Sequence, residues 1–146
     1  MCIRDRVHRE LGETDQEREA LARLAERDDE AVDAYLRLME LESAAGDWAA
    51  VVLNARRYLA VDPLVAPPYR FLAEAGEQTG EPAQAIRAWR ALLQLDPANP
   101  AEIHFRLARQ LHQTGAPGAS RHLSQSLADA PPPRAAPPPL IAQTRA

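Results

Sequence analysis

The chain has 146 residues, a net charge of −4 and a single cysteine, Cys2. The length is one domain's worth of chain. The charge argues against nucleic-acid binding, which usually shows as a basic face; one thiol excludes an intrachain disulfide, and no apolar run approaches a membrane span or a signal-peptide core after Met1.

All 17 basic residues are arginine, and with 13 prolines and abundant alanine this fits a GC-rich bacterial genome. The charge is uneven. Residues 1–50 carry seven Arg against fourteen Asp and Glu, giving −7; residues 51–146 carry ten against seven, giving +3. Solvated helix faces explain such a split, and a surface polarised toward a partner is the alternative. The opening Met-Cys-Ile-Arg-Asp-Arg resembles translated sequencing-adapter sequence of the kind found at the ends of metagenomic fragments. The true N-terminus, and any targeting signal, would then lie upstream.

Residues 1–31 read as a truncated half-repeat. Val7 to Leu11 form a helical stub over 6–11, Gly12 breaks it, and Thr14 to Arg27 make a helix. Thr14 and Glu17 have the spacing of a capping box. Ala20, Leu21 and Leu24 give this helix a thin apolar stripe, so it is expected to fray. Residues 32–65 form the first whole unit. Asp28, Asp29 and Glu30 put negative charge at the start of its first helix, near 29–44. Val32, Tyr35, Leu36, Leu38, Met39 and Leu41 supply the apolar face. Gly46 suits the left-handed end of that helix. Asp47 caps the next, near 48–61, in which Trp48, Val51, Val52, Ala55, Tyr58 and Leu59 recur at helical spacing.

Residues 66–99 repeat this grammar. Pro67 suits a first helical turn, Tyr69, Leu72, Ala73 and Gly76 face inward near 67–79, and Gly80-Glu81-Pro82 is a turn. Ala85, Ile86, Trp89, Leu92, Leu93 and Leu95 make 82–95 the most amphipathic helix of the chain. Shifted back by 34 residues, Gly80 falls on Gly46, Ile86 on Val52 and Asp96-Pro97 on Asp62-Pro63; shifted forward, Ala85 falls on Ala119 and Pro97 on Pro131. A helix-turn-helix unit at this period means a stacked solenoid. Residues 100–131 are the third unit, with helices near 100–113 and 117–129. Asn99 is its N-cap and Pro100 its first-turn proline. Leu107, Ala108 and Leu111 stand one residue out of frame, and a shorter turn at Thr114 to Gly118 restores register. In 132–146 the proline clusters cannot lie in a helix interior, so this tail reads as extended or disordered.

These residues resemble the tetratricopeptide repeat (TPR) family. The central unit carries the pattern in Tyr69, Leu72, Ala73, Gly80, Ala85, Trp89 and Pro97. The third carries it in Leu107, Ala108, Gly115, Ala119 and Pro131, and the first in Tyr35, Leu38, Gly46 and Pro63. Met39 and Val51 stand where the family has small residues, and Tyr58 and Leu92 occupy another usually small position, which implies wider helix spacing. The resemblance spans roughly residues 7–131. It implies an all-α fold, a right-handed superhelix of stacked antiparallel helix pairs, whose concave groove is lined by the first helix of each pair. Carried over by position, the groove holds Asp33, Leu36, Glu40 and Ser43 in the first unit. It holds Pro67, Arg70, Glu74 and Glu77 in the second, and Glu102, Phe105, Arg109 and His112 in the third. Leu36 and Glu40 stand where chaperone-binding members place the Lys and Asn that grip a C-terminal carboxylate, so that clamp is absent. A groove with Arg70 and Arg109 would suit an extended or helical segment of some acidic character.

Catalytic signals are lacking. There is no glycine-rich phosphate loop and no His-Glu-x-x-His. His104, His112 and His122 lack paired metal-ligand spacing; His104 reads as a packing residue and His122 as a surface one. Ser120, Ser124 and Ser126 have no nucleophile context. Glu74 and Glu77, one turn apart, read as solvated helix charges rather than an acid–base pair, and Trp48 and Trp89 as core. No cofactor or metal is expected. The expected function is a non-catalytic scaffold that binds a protein or peptide. The alternative is the C-terminal accessory module of a larger bacterial enzyme, such as an extracytoplasmic hydrolase. With incomplete units at both ends, the pairs Leu107–Leu111 and Leu123–Leu127 are expected to leave apolar surface uncovered, favouring fraying or self-association there.

Overall fold

The three whole units reverse direction through one recurring backbone bond. The N–H of Asp47 bonds to the carbonyl of Glu42 at 2.9 Å, that of Glu81 to Gly76 at 2.8 Å, and that of Ala116 to Leu111 at 2.9 Å. Each bond closes over a glycine in the left-handed region, Gly46 at φ 77°, Gly80 at φ 73° and Gly115 at φ 64°. Only glycine enters that region at little cost, and the closure satisfies carbonyls that the helix end leaves free. Asp47 to Glu81 is 34 residues and Glu81 to Ala116 is 35, so the one-residue displacement of the third unit is a displacement of its turn.

The computed structural model describes residues 3–28, 31–95 and 97–131. They form α1 (Ile3–Arg27), α2 (Val32–Ala45), α3 (Trp48–Val61), α4 (Ala66–Thr79), α5 (Pro82–Leu93), α6 (Pro100–Gln113) and α7 (Ala119–Asp129). No strand occurs among the described residues. Each helix packs against the next, and α2 also meets α4, the serial packing of a stacked array. The proline-rich tail over 132–146 lies outside the described residues.

Local chemistry sets most boundaries. The Asp47 carboxylate accepts from the Ala50 N–H at 3.2 Å, and the Asn99 side chain from the Glu102 N–H at 3.4 Å. Prolines open α4, α5 and α6. Helix α2 starts at Val32 rather than near 29, after Ala31 and without a side-chain cap; Asp29 and Glu30 lie outside the described residues. Helix α5 ends at Leu93, because the Gln94 and Leu95 N–H groups turn back three residues to Ala91 and Leu92, a tighter closing turn. Gly118, at φ 105°, delays α7 to Ala119.

The expected break at Gly12 is absent. The stub at 6–11 and the helix from Thr14 are one helix, Ile3–Arg27. No proline follows Gly12 as Pro82 follows Gly80, and the flanking Glu, Arg and Gln residues outweigh the roughly 1 kcal/mol that a helical glycine costs. Thr14 therefore sits inside α1 and cannot be an N-cap, and no capping box forms with Glu17. Glu17 instead meets Arg37 of α2 at 2.7 Å.

Three apolar clusters run along the array. Ala25, Tyr35 and Leu38 join α1 to α2; Met39, Val51, Ala55 and Ala75 join α2, α3 and α4; and Ala73, Ala85, Trp89, Leu92, Ile103, Leu107 and Leu111 join α4, α5 and α6. Tyr58 packs against the first two, and Leu72 against the last two. Helices α4 and α5 approach closely at Gly76, where an added Cβ would stand 2.7 Å from the Ala85 nitrogen. In the first unit the same two positions hold Glu42 and Val51, both buried. The Glu42 carboxylate is satisfied there by Asn54, whose Nδ2 donates to both oxygens at 2.9 Å. Burial raises Glu42 above the usual carboxylate range despite that bond.

Leu107 and Leu111 were expected to be partly uncovered and are not: both are fully buried, with Ala116 and Ala119 packed against their cluster. Ala73 of α4 and Trp89 and Leu92 of α5 cover most of that face, and Ala119 closes its edge. Leu123 and Leu127, on α7 itself, remain 45% and 80% exposed.

Candidate interaction site

The groove positions of α4 and α6 meet around Glu77. Helical spacing puts Arg70, Glu74 and Glu77 along α4, and Glu102, Phe105, Arg109 and His112 along α6. Ion pairs then cross between the two helices. The Glu77 side chain is only 8% exposed. Its Oε1 accepts from the Trp89 indole N–H at 2.9 Å, and its Oε2 accepts from Arg109 at 2.7 Å and Arg106 at 3.2 Å. Burying a carboxylate is costly unless it is paired and hydrogen-bonded; here three charge-assisted or indole bonds, from α5 and α6, engage both oxygens. The Arg106 guanidinium also lies over the Trp89 ring, 5.4 Å from its centroid, close enough for a cation–π attraction.

Glu102 extends the network. Arg106 meets it at 3.2 Å within α6, and Arg70 reaches it from α4 at 3.6 Å. Glu74 is half-buried beside these groups. Burial raises its carboxyl above the ordinary range, an effect opposed by Arg106 and Arg70 and reinforced by Glu77 and Glu102. Glu74 and Glu77 are thus not simple solvated charges, as their spacing alone suggested, because α5 and α6 close over their side of α4.

The remaining expected groove residues are dispersed. On α2, Leu36 packs against the Met39–Val51 cluster with Phe71 beside it. Glu40 pairs with Arg37 of its own helix at 2.9 Å, and Ser43 donates to the Glu40 carbonyl at 2.9 Å. Asp33, Pro67, Arg109 and His112 are exposed, and so is Phe105, at 52%. Arg106 was not among the expected residues. Its signal is the i, i+4 spacing to Glu102, but nothing in that spacing reveals Trp89 and Glu77 beside it.

His104 packs as its sequence reading has it, whereas His122 departs from its own. His122 is half-buried rather than on the surface, and its Nδ1 lies 2.9 Å from Nδ1 of His104. Among the described residues no group of three or more His, Cys, Asp and Glu is placed to hold a metal, and no helix is long and apolar enough to cross a membrane.

Residues 66–111, which contain α4, α5 and most of α6, match the tetratricopeptide repeat family. This stretch is a tetratricopeptide repeat. Solved structures of MamA share the fold of the array. One crystal structure of MamA is 18% identical, with a TM-score of 0.72 over 85% of this chain and 72% of that one. A second gives the same identity and TM-score over 85% and 68%. A third, MamA MSR-1 C2, is 19% identical with a TM-score of 0.68 over 82% and 68%. No curated protein is significantly similar in sequence. The seven helices in adjacent pairs, the glycine-closed turns and these similarities make the fold that of a tetratricopeptide repeat array.

Proposed function

We propose that the chain is a non-catalytic scaffold whose α2–α4–α6 face binds a peptide or a helix of a protein partner. The observation that carries this reading is the surface around Glu77. There Arg70, Arg106 and Arg109 are held in fixed positions by glutamates, yet Arg70 and Arg109 keep about half of their side chains open to solvent. Beside them stands Phe105, a large aromatic left 52% exposed. Prearranged cations flanking an exposed aromatic suit a segment with acidic groups around an apolar anchor, and ordering the arginines in advance lowers the entropic cost of binding. The membership of 66–111 in a repeat family that generally mediates protein–protein contacts supports the same reading.

Selection from a random 12-residue peptide display library tests it. Selected peptides should be enriched in Asp and Glu around one large apolar residue, and Phe105→Ala and Arg109→Ala should each weaken their binding by about tenfold or more, the scale of a 1.4 kcal/mol contact. Peptides that bind both variants as tightly as the parent would place the binding surface elsewhere.

A further inference from the structure

Helix α7 is attached unlike the other second helices of the array. Helix α3 buries Val51, Asn54 and Ala55, and α5 buries Ala85, Ala88, Trp89 and Leu92; α7 has no buried residue. Its larger apolar residues, Leu123 and Leu127, face away from the core. Ala119 packs at its start, and beyond that α7 is held to α6 by polar contacts one turn apart. The His122 ring meets His104, Ser126 Oγ donates to the Ala101 carbonyl at 2.8 Å, and the Asp129 carboxylate lies 3.8 Å from Nε2 of His104.

The histidine contact can hold only one proton. The ring centroids are 5.1 Å apart and the planes are inclined by 25°. With the two Nδ1 atoms at 2.9 Å, that centroid separation is nearly the greatest the nitrogen contact permits, so the rings meet head-on rather than face to face. One Nδ1 must carry a proton and donate it to the lone pair of the other. Adding one proton to the pair preserves this bond, since a doubly protonated ring still donates to a bare nitrogen. Adding a second puts two N–H groups and two positive charges against each other. The neighbouring charges are Arg121 on α7 itself, Arg90 on α5, and Asp129, which neutralises only the His104 side.

We propose that the His104–His122 pair is an acid-operated latch, which holds α7 on α6 at neutral pH and releases it when the pair must take up its second proton. Burial, with His104, Arg90 and Arg121 adding to it, holds the docked His122 below its ordinary value of 6.5. The released helix binds the proton that the docked one refuses, so acid favours release and the docking free energy falls as pH drops below 6.5. What release uncovers is the side of α6 that α7 lies against, which carries His104 and the Ala101 carbonyl, and the edge of the Leu107–Leu111 cluster on which Ala119 packs.

Amide hydrogen exchange on the whole chain, corrected for the intrinsic rate at each pH, reads this directly. Between pH 7.5 and 5.5 the α7 amides should open up to about tenfold more often relative to those of α5, the limit for one group kept from protonating over one pH unit below 6.5. In His122→Asn, whose amide can still bond at the Nδ1 position but cannot titrate, this pH dependence should vanish. Unchanged relative protection of α7 in the parent, or the same pH response in the variant, overturns the latch. Nitrogen-15 spectra of the parent's histidines give a check that needs no substitution. At pH 7.5 one of the two Nδ1 atoms should be protonated and the other bare, and finding both bare would also overturn it.

Discussion

A carboxylate as covered as Glu77 is tolerated because both of its oxygens have donors, and the donors come from two other helices. Trp89 supplies one of them while also filling the core, so its side chain has two separable roles. Trp89→Ala should destabilise the fold by roughly 3–5 kcal/mol, the scale for emptying a large buried aromatic site, visible as a lowered urea midpoint at constant slope. Trp89→Phe keeps most of the packing and strands Glu77 Oε1, for a loss of about 1–3 kcal/mol. A phenylalanine variant as stable as the parent would mean that the indole bond contributes nothing. Glu74, one turn away, has the opposite character. Its carboxyl is raised by burial, so the native state holds its proton more tightly than the unfolded chain. The stability it lends is full below 4.5 and is lost as pH rises through its folded value. Glu74→Gln should therefore raise the urea midpoint at pH 7, and the gain should disappear below about pH 4. A gain that persists in acid, or a loss at pH 7, would contradict burial as the controlling effect. The repeat frame made Arg70, Glu77 and Arg109 legible as one face, because a helical face follows from spacing alone. The depth of Glu77 was not legible, because it depends on how far Trp89 and Arg106 reach across from α5 and α6.

Helix ends followed from turn chemistry wherever the chemistry was strong. Asp47, Pro82 and Pro100 start α3, α5 and α6 where their capping and first-turn preferences put them. The misreading at Gly12 falls where a lone glycine was asked to do what a glycine followed by a capping Asp or a proline does. Gly12 lies inside α1, whereas Gly80, followed by Glu81 and Pro82, reverses the chain. The cover over Leu107 and Leu111 was also illegible. It depends on how Ala73, Trp89 and Leu92 of the preceding unit pack over them, which the spacing along α6 does not reveal. Gly76 shows what close helix approach requires: backbone stands 2.7 Å from where its Cβ would be, whereas the neighbouring unit has at that position Glu42, buried and bonded to Asn54.

In the whole molecule, cohesion is unequal along the array. The largest cluster, around Trp89 and Leu92, lies between α4 and α6, while α1 is joined by a smaller cluster containing Ala25 and α7 by polar contacts. A solenoid whose parts touch only their neighbours opens from its weak ends inward. At neutral pH amide protection should be greatest over 82–93 and fall toward both termini; uniform protection out to Ala130 in a monomeric sample would refute this. The Glu77 cluster gives the molecule a further property. A stacked helical array is a spring, and load applied at its ends passes through its windings in series. Glu77 of α4 is bonded to Trp89 of α5 and to Arg106 and Arg109 of α6, so one carboxylate spans the seam between two windings. Under tension that seam resists while the windings on either side extend, and Arg106 and Arg109 stay in register with Glu77 as the rest of the coil is stretched.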